Sequence, residues 1–242
     1  MGSDLSQKWV RIGVMLSTPA SPGPVDIESL VVDSLFRVRE DARLFWCIAS
    51  WLAVHHEMVN TRRLGRMLGS LDTLHSALAG ALLEIALLQT SDVPALVRLQ
   101  GHCESLAEPR ILFRSVEGLE GAEEAFRDQW IPSLRKWGFL NHQWTDKREA
   151  IRPIGWLIRN VPELRIRALL GSGQDAEILE RALEDTVTVT QVSRELDYTY
   201  ASSHNAAGRL IRRGLIQRVA EGREVYLQPD TAIREWLESF PG

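Results

Sequence analysis

Apolar side chains recur every three or four residues along most of the chain, which is the spacing of one face of an α-helix. Asp26 precedes the first clear stretch, whose apolar positions are Ile27, Leu30, Val31, Leu35 and Val38. Aspartate is a favoured N-cap, and Glu28 adds a carboxylate where the positive end of the helix dipole lies. The pattern therefore predicts a helix that begins directly after Asp26.

The same spacing predicts further helices over 42–59, 62–68, 72–89 and 93–106. The helix over 72–89 is apolar on much of its surface, so we expect it at the centre of its domain. Another helix falls within 119–138, where Pro132 either breaks it or kinks it, because proline lacks the backbone N–H that a helix needs.

Prolines suggest the division of the chain into three parts. Pro19, Pro22 and Pro24 lie close together and disfavour helix, so residues 1–25 are expected to form an extended lead-in or linker, with 9–15 packing as a short strand or arm. Pro162 marks a second boundary, because the residue before a proline is driven out of the helical region. We therefore expect a helical domain over 26–163 and a further domain over 164–242.

The last part changes its pattern several times. It predicts a helix over 174–185, a short strand over 186–189, a brief helix over 190–196 capped by Thr190, and a longer helix over 200–213 capped by Thr199. Asp197 lies in the tight turn between the last two helices, and aspartate tolerates left-handed backbone better than most residues. Gly214 ends the longer helix.

After Gly214 the apolar period falls to two, which is typical of strands. Residues 215–219 and 223–227 form the expected strands, with Glu221 and Gly222 in the turn between them. Asp230 then caps a final amphipathic helix whose inward positions are Ile233, Trp236, Leu237 and Phe240.

Two short helices joined by a tight turn and followed by a hairpin resemble the winged helix-turn-helix of bacterial transcription regulators. The residues that carry the resemblance are 189–203, 209–216 and 222–227, and the ending is similar to the MarR and ArsR types. It covers roughly the last quarter of the chain and departs from the usual glycine of the turn at Asp197. The expected fold class is mostly α: a helical N-terminal domain plus a C-terminal winged helix-turn-helix with a small β-hairpin.

The resemblance implies that the second helix of the pair lies in a DNA major groove. The implied base-facing residues are Thr199, Tyr200, Ser202, Ser203, His204 and Asn205. The implied phosphate contacts are Arg209, Arg212 and Arg213 on the helix, with Arg218 and Arg223 on the wing. Alternatives stay open: His204 and Asn205 are also ordinary solvated positions, and Arg212 with Arg213 also suits a helix C-terminus. Ala201, Ala206, Ala207 and Leu210 are expected to be core or close-packing positions.

The charge of the whole chain hides a local contrast. The 28 lysines and arginines and 32 acids give a net charge of −4, which argues against indiscriminate coating of DNA. Residues 199–228, however, hold five arginines against two glutamates, a net +3. The segments 164–198 and 229–242 carry net charges of −3 and −2. A narrow basic surface on an acidic protein is therefore expected.

Two further clusters have open interpretations. A basic cluster precedes the last domain and either extends a DNA footprint, contacts an acidic partner or is a solvated face: Lys147, Arg148, Arg152, Arg159, Arg165 and Arg167. Residues 130–156 are rich in tryptophan, for which a packed core is favoured over an aromatic ligand pocket or a base-stacking platform.

Signals for other chemistry are weak. Two separated cysteines give neither a disulfide framework nor a thiolate zinc site. The zinc-protease pattern that begins at His56 and Glu57 has Asn60 where a second histidine is needed. Residues 171–176 match a dinucleotide-binding fingerprint in letters but lack the sheet it requires, so a turn between helices is expected. We expect no catalytic, cofactor or metal site, no membrane span, and a cytoplasmic location.

The sequence thus favours a non-enzymatic, sequence-specific regulator of transcription that binds double-stranded DNA as a homodimer. The helical domain would supply dimerisation, sensing or a surface for a protein partner. The alternative is a non-enzymatic subunit of a multiprotein complex, of a defence or chromosome-segregation-like kind, whose winged helix contacts protein.

Overall fold

The computed structural model describes residues 2–90, 93–128, 130–141 and 143–239. Contacts along the chain group it into two compact units, residues 1–153 and 154–242. The predicted fold class is confirmed, since the chain is mostly helical with a small antiparallel sheet near its C-terminus. The division falls at Pro153, ten residues before the boundary that Pro162 suggests.

The first unit is built from eight helices and a pair of two-residue strands among the residues described. The helices are α1 (Gly2–Arg11), α2 (Ile27–Leu35), α3 (Ala42–His55), α4 (Thr61–Leu68), α5 (Thr73–Leu88), α6 (Pro94–Gln100), α7 (Ala122–Asp128) and α8 (Pro132–Arg135). The strands β1 (Arg110–Ile111) and β2 (Phe139–Leu140) pair in parallel. Short 3₁₀ turns cover His56–Met58 and Arg148–Ala150.

The start of the chain differs from the expected extended lead-in over 1–25. It forms α1, and residues 12–26, which include the prolines, lie outside helices and strands apart from an isolated bridge between Val14 and Ile151. Trp9 is fully buried, meets Trp51 edge to face at 5.7 Å, and donates its indole N–H to Ser34 Oγ at 2.8 Å. The prolines exclude helix only where they stand, and the buried Trp9 side chain packs α1 into the core of the first unit.

Side-chain caps lie at several helix starts, and the cap predicted at Asp26 is confirmed. Asp26 accepts from Ser29 N at 3.0 Å, Asn60 from Arg63 N at 3.1 Å, and Asp72 from Leu74 N at 3.0 Å. Helix α6, by contrast, ends at Gln100, well short of residue 106, because the chain turns at Gly101. Pro132 breaks the predicted helix over 119–138 and begins α8 at a position where its missing N–H is tolerated.

Helix α5 lies at the centre of the first unit and buries ten of its residues. Gly80 on this helix allows the Trp137 ring to approach, because a Cβ there would lie 2.2 Å from the ring. Trp137 and Phe139 are buried, and Trp130 donates its indole N–H to the Phe139 carbonyl. These three aromatic residues of 130–156 are therefore packing residues, whereas Trp144 is partly exposed.

The second unit contains six helices and a three-stranded sheet in its described part. The helices are α9 (Ile154–Asn160), α10 (Pro162–Leu170), α11 (Gln174–Glu184), α12 (Val189–Glu195), α13 (Tyr200–Arg212) and α14 (Thr231–Glu238). The strands β3 (Val187–Thr188), β4 (Ile216–Glu221) and β5 (Glu224–Pro229) form an antiparallel sheet in the order β3-β5-β4. Of the predicted inward positions of α14, Leu237 is buried, Ile233 and Trp236 are partly buried, and Phe240 lies outside the described residues.

One apolar cluster holds the elements of the second unit together. It includes Leu179 of α11, Val192 of α12, Leu210 of α13 and Leu227 of β5, all buried. Residues from four elements in one core fix how α12, α13 and the hairpin lie relative to each other. The position of α13 therefore follows from packing, and its outer face is left for other contacts.

Candidate nucleic-acid interface

The start of α12 is set by a capping box. The Thr188 hydroxyl accepts from Gln191 N at 3.2 Å, and the Gln191 side chain accepts from Thr188 N at 2.7 Å. The expected cap, Thr190, is wrong by two residues, and the Thr-x-x-Gln spacing is the signal that identifies the true one. The helix consequently begins at Val189.

The turn between α12 and α13 depends on Asp197. This residue has φ = +53°, the left-handed backbone expected from the sequence. Tyr198 N then donates to the Ser193 carbonyl at 2.9 Å, and Thr199 caps α13 by accepting from Ser202 N at 3.2 Å. The predicted turn and the Thr199 cap are both confirmed, and together they direct α13 away from α12.

Burial along α13 shows which side faces outward. Ala206, Ala207 and Leu210 are buried as predicted, whereas Ala201 is exposed and is not a core residue. Ser203, expected to face DNA, is only 1% exposed, so that expectation is wrong. Ser203 lies one helical turn before Ala207 on the buried face of α13, and packing sets the rotation of the helix that places it there. The outward stripe consists of Ala201, Asn205, Gly208 and Arg212.

The start of α11 holds one flank of α13. Gln174 accepts from Ser202 Oγ at 2.6 Å and donates to Ser203 Oγ at 3.3 Å. Asp175 accepts from Arg209 through both Nε and Nη2, and lies 3.6 Å from Arg213 Nη1. The hydrogen bond that the Arg209 guanidinium donates to Asp175 raises the pKa of that guanidinium. Two of the predicted phosphate contacts are thus already engaged by a carboxylate.

Other arginines of this unit have no carboxylate partner in the described structure. Arg212 on the outward stripe, Arg194 near the end of α12, and Arg223 at the hairpin turn are all exposed and without an ion pair to any described residue. Arg218 on β4 contacts the His204 imidazole, with 3.3 Å between Nη2 and Nε2. Arg194 was not among the residues that the sequence pointed to. These four side chains carry positive charge on α12, α13 and the hairpin that no described carboxylate neutralises through an ion pair.

The wing is a hairpin with a two-residue turn. Glu221 pairs with Glu224, so the turn residues are Gly222, with φ = +64°, and Arg223. Arg223 was expected on the second strand and Glu221 in the turn, and both expectations are wrong by one or two positions. Since a left-handed residue is needed inside a two-residue loop, Gly222 fixes the turn there. The correction leaves Arg223 at the tip of the wing.

The second basic cluster is not one basic face. Arg165 is buried and donates to backbone carbonyls, including that of Leu237, while buried Arg167 pairs with Glu180 at 2.9 Å. Arg148 bonds to Asp146, and Lys147 lies 3.8 Å from Glu149. At least these four charges have partners within the protein, and the buried Arg165 and Arg167 require them, because a buried cation without a partner is costly.

The weak catalytic patterns have structural roles. Asn60 is the N-cap of α4, and its backbone N–H donates to buried Glu28 at 2.6 Å. Residues 171–173 join α10 to α11, so the dinucleotide-like letters follow a helix and not a strand. Within the described residues there is no group of three or more His, Cys, Asp or Glu side chains placed to hold a metal. Nor is any described helix both long and apolar enough to cross a membrane.

Comparison with protein-family models, with curated proteins and with solved structures gave no match to this chain.

Proposed function

We propose that the protein is a sequence-specific transcription regulator that binds double-stranded DNA through α13, with the hairpin as its wing. The observation that carries the proposal is the sorting of arginines in the second unit. Arg209 and Arg213, on the α11 side, are engaged by Asp175. Arg212 on the outward stripe and the arginines of α12 and the wing have no carboxylate partner among the described residues, so they suit phosphates.

The outward stripe of α13 suits a major groove. Ala201 and Gly208 carry almost no side chain, so the helix backbone can approach base edges closely. Asn205 lies between them and is exposed, and an asparagine amide can form two hydrogen bonds with adenine. We assign base recognition to Asn205 with help from His204 on the wing side, and a phosphate contact to Arg212.

The remaining predicted contacts take secondary roles in this proposal. Thr199 is a cap, Ser202 is tied to Gln174, and Ser203 is buried and makes no DNA contact. Arg218 and Arg223, on the wing, would contact phosphates of the DNA backbone. Arg194 joins the phosphate contacts, because it lies on the same side of the unit as the wing arginines and lines the same groove.

The proposal includes a homodimer, since DNA readers of this kind usually bind two half-sites related by two-fold symmetry. The helical first unit would supply dimerisation, ligand sensing or a protein partner. The protein would be cytoplasmic and non-enzymatic. Light scattering on the purified full chain tests the dimer, and a strictly monomeric protein that also binds DNA as a monomer contradicts it.

Fluorescence anisotropy with labelled duplex DNA tests the proposal directly. Duplexes should include DNA from upstream of the protein's own coding sequence, at about 50 mM salt. Binding should weaken steeply as salt rises, because displaced counterions drive it. Absence of binding to every duplex at low salt, by a protein with intact helical circular dichroism, refutes it.

A second candidate function is a subunit of a multiprotein complex whose hairpin unit contacts protein. Tyr200 is 57% exposed and Val225 is 48% exposed, and exposed tyrosine beside arginine is typical of protein interfaces. A stable partner in a pull-down, lost in Tyr200→Ala and kept in Arg212→Gln, favours this candidate. Loss of duplex binding in Arg212→Gln without any partner favours the regulator.

A further inference from the structure

A polar groove lies between α12, the first turns of α13 and the hairpin. Its volume is about 550 Å³, within the range of roughly 300–1,000 Å³ that is usual for small-molecule sites. Arg194, Arg218 and Arg223 all line it, so three guanidinium groups from three different elements meet at one cavity. Thr190 and Gln191 add polar groups at its α12 end.

The positive charge of this groove is not neutralised within the described residues. None of its three arginines forms an ion pair there, and Arg218 contacts the imidazole of His204. Glu224 also lines the groove and accepts a hydrogen bond from the Tyr226 hydroxyl at 2.6 Å, so this one carboxylate leaves the three arginines with a net charge of +2. Three guanidinium groups around one cavity favour an anion with several oxygen atoms, because their fork of N–H donors matches phosphate geometry.

The groove also presents a flat, accessible ring. Tyr200 lines it and is 57% exposed, with the His204 ring 5.9 Å away at an angle of 31°. Val225, opposite on the hairpin, is 48% exposed. An exposed aromatic ring beside arginines is the arrangement on which nucleic-acid bases stack.

We propose that this groove binds one nucleotide unit, with its phosphate at Arg194, Arg218 and Arg223 and its base against Tyr200. A free nucleotide and an unpaired nucleotide of a DNA strand offer the same chemistry, whereas the bases of a duplex stack on each other and leave only its phosphates to the three arginines. The second source rests on the proposed DNA-binding function, whereas the first does not. A free nucleotide in this groove would compete with DNA, because it occupies the space beside α13 and the wing.

The experiment uses the full chain with adenosine monophosphate, inorganic phosphate and a labelled 20-base-pair duplex as probes. Calorimetry measures the first two, and anisotropy measures the duplex with and without the nucleotide. The variants are Arg194→Gln and Tyr200→Leu. The matched control is Arg37→Gln, an exposed arginine of the first unit whose loss changes the net charge equally.

We expect the nucleotide to bind more tightly than inorganic phosphate. Tyr200→Leu should weaken nucleotide binding by about 5- to 150-fold, the range for loss of one stacked base, and leave phosphate binding nearly unchanged. Arg194→Gln should weaken both ligands, and Arg37→Gln should weaken neither. Competition between the nucleotide and the duplex supports a free nucleotide as the ligand of the groove.

A groove that takes only a DNA strand gives a different result. The free nucleotide then does not bind, while Arg194→Gln lowers the steepness of the salt dependence of duplex binding by about 0.9 in a log–log plot. If neither probe responds to the two groove variants, or if Arg37→Gln has the same effect as Arg194→Gln, the groove proposal is overturned. If duplex binding is lost only in Arg212→Gln, the proposed DNA-binding function is supported and the groove proposal is overturned. If the nucleotide binds and no duplex binds, the groove proposal is supported and the proposed DNA-binding function is contradicted.

Discussion

Arg209 and Arg212 offer a test of the account with a matched pair of variants. Both are exposed arginines on α13, three residues apart, but Arg209 bonds to Asp175 whereas Arg212 has no carboxylate partner among the described residues. We expect Arg212→Gln to weaken duplex binding and Arg209→Gln to leave its salt dependence unchanged. An arginine already held by a carboxylate releases few counterions when DNA binds.

The magnitude follows from the number of arginines available to phosphates. Four arginines of α12, α13 and the hairpin lack a carboxylate partner among the described residues, Arg194, Arg212, Arg218 and Arg223, so with each at a separate phosphate of the duplex the slope of log K against log salt should be about −3.6 per chain. Arg212→Gln should reduce it to about −2.7. Between 50 and 200 mM salt, the fall in affinity of this variant should be smaller by about 3.5-fold.

Anisotropy titrations at four salt concentrations measure these slopes, with one duplex used throughout. Arg209→Gln should instead lower the thermal stability of the second unit slightly, because an exposed ion pair contributes about 0–1 kcal/mol. Equal changes of slope in the two variants would refute the reasoning, and so would a larger change in Arg209→Gln. Either result would mean that Asp175 does not withhold Arg209 from DNA.

Three further predictions concern stability. Gly80→Ala should lower the melting temperature, because the added Cβ would lie 2.2 Å from the Trp137 ring and overpacking costs about 1–3 kcal/mol. The control Gly155→Ala, which has open space around its Cβ, should not lower it. Equal effects of the two variants would contradict the packing of Gly80 against Trp137. Asp197→Val should destabilise the second unit by about 1–3 kcal/mol more than Asp197→Gly, since a β-branched residue is strained at φ = +53°, and calorimetry checks the order of the two. Burial lowers the pKa of His55 below its ordinary value of 6.5. As the pH falls below 6.5, His55 therefore takes up a proton in the unfolded chain before it does so in the folded protein, and the free energy of unfolding decreases. Melting temperatures from pH 7 to 5 should therefore fall more steeply in the native protein than in His55→Gln, and identical slopes would contradict this.

Local chemistry explains the parts of the fold that the sequence predicts well. The predicted caps Asp26 and Thr199 form hydrogen bonds that reach only three residues along the chain. The left-handed Asp197 is a local property too. Such features depend on neighbours in sequence, so the sequence alone is enough to place them.

Contacts between distant residues explain where prediction fails. Ser203 is buried because packing against α11 sets the rotation of α13, and nothing local reports that rotation. Asp175 and Arg209 lie 34 residues apart, so their pairing is visible only in the folded unit. Helix α1 differs from the prediction for another reason: the prolines at 19–24 exclude helix only locally, and the residues that precede them form one. The Thr188 cap, in contrast, had a local signal that could have been used.

Selection from a random duplex library is the measurement that tests base recognition by α13 most directly. The native protein should enrich one defined site that contains an adenine required at a single position. Asn205→Ala should still enrich that site but tolerate other bases at that position, a loss of about 1–3 kcal/mol of discrimination. A library that yields no defined site, or an Asn205→Ala variant with unchanged preference at every position, would contradict the account.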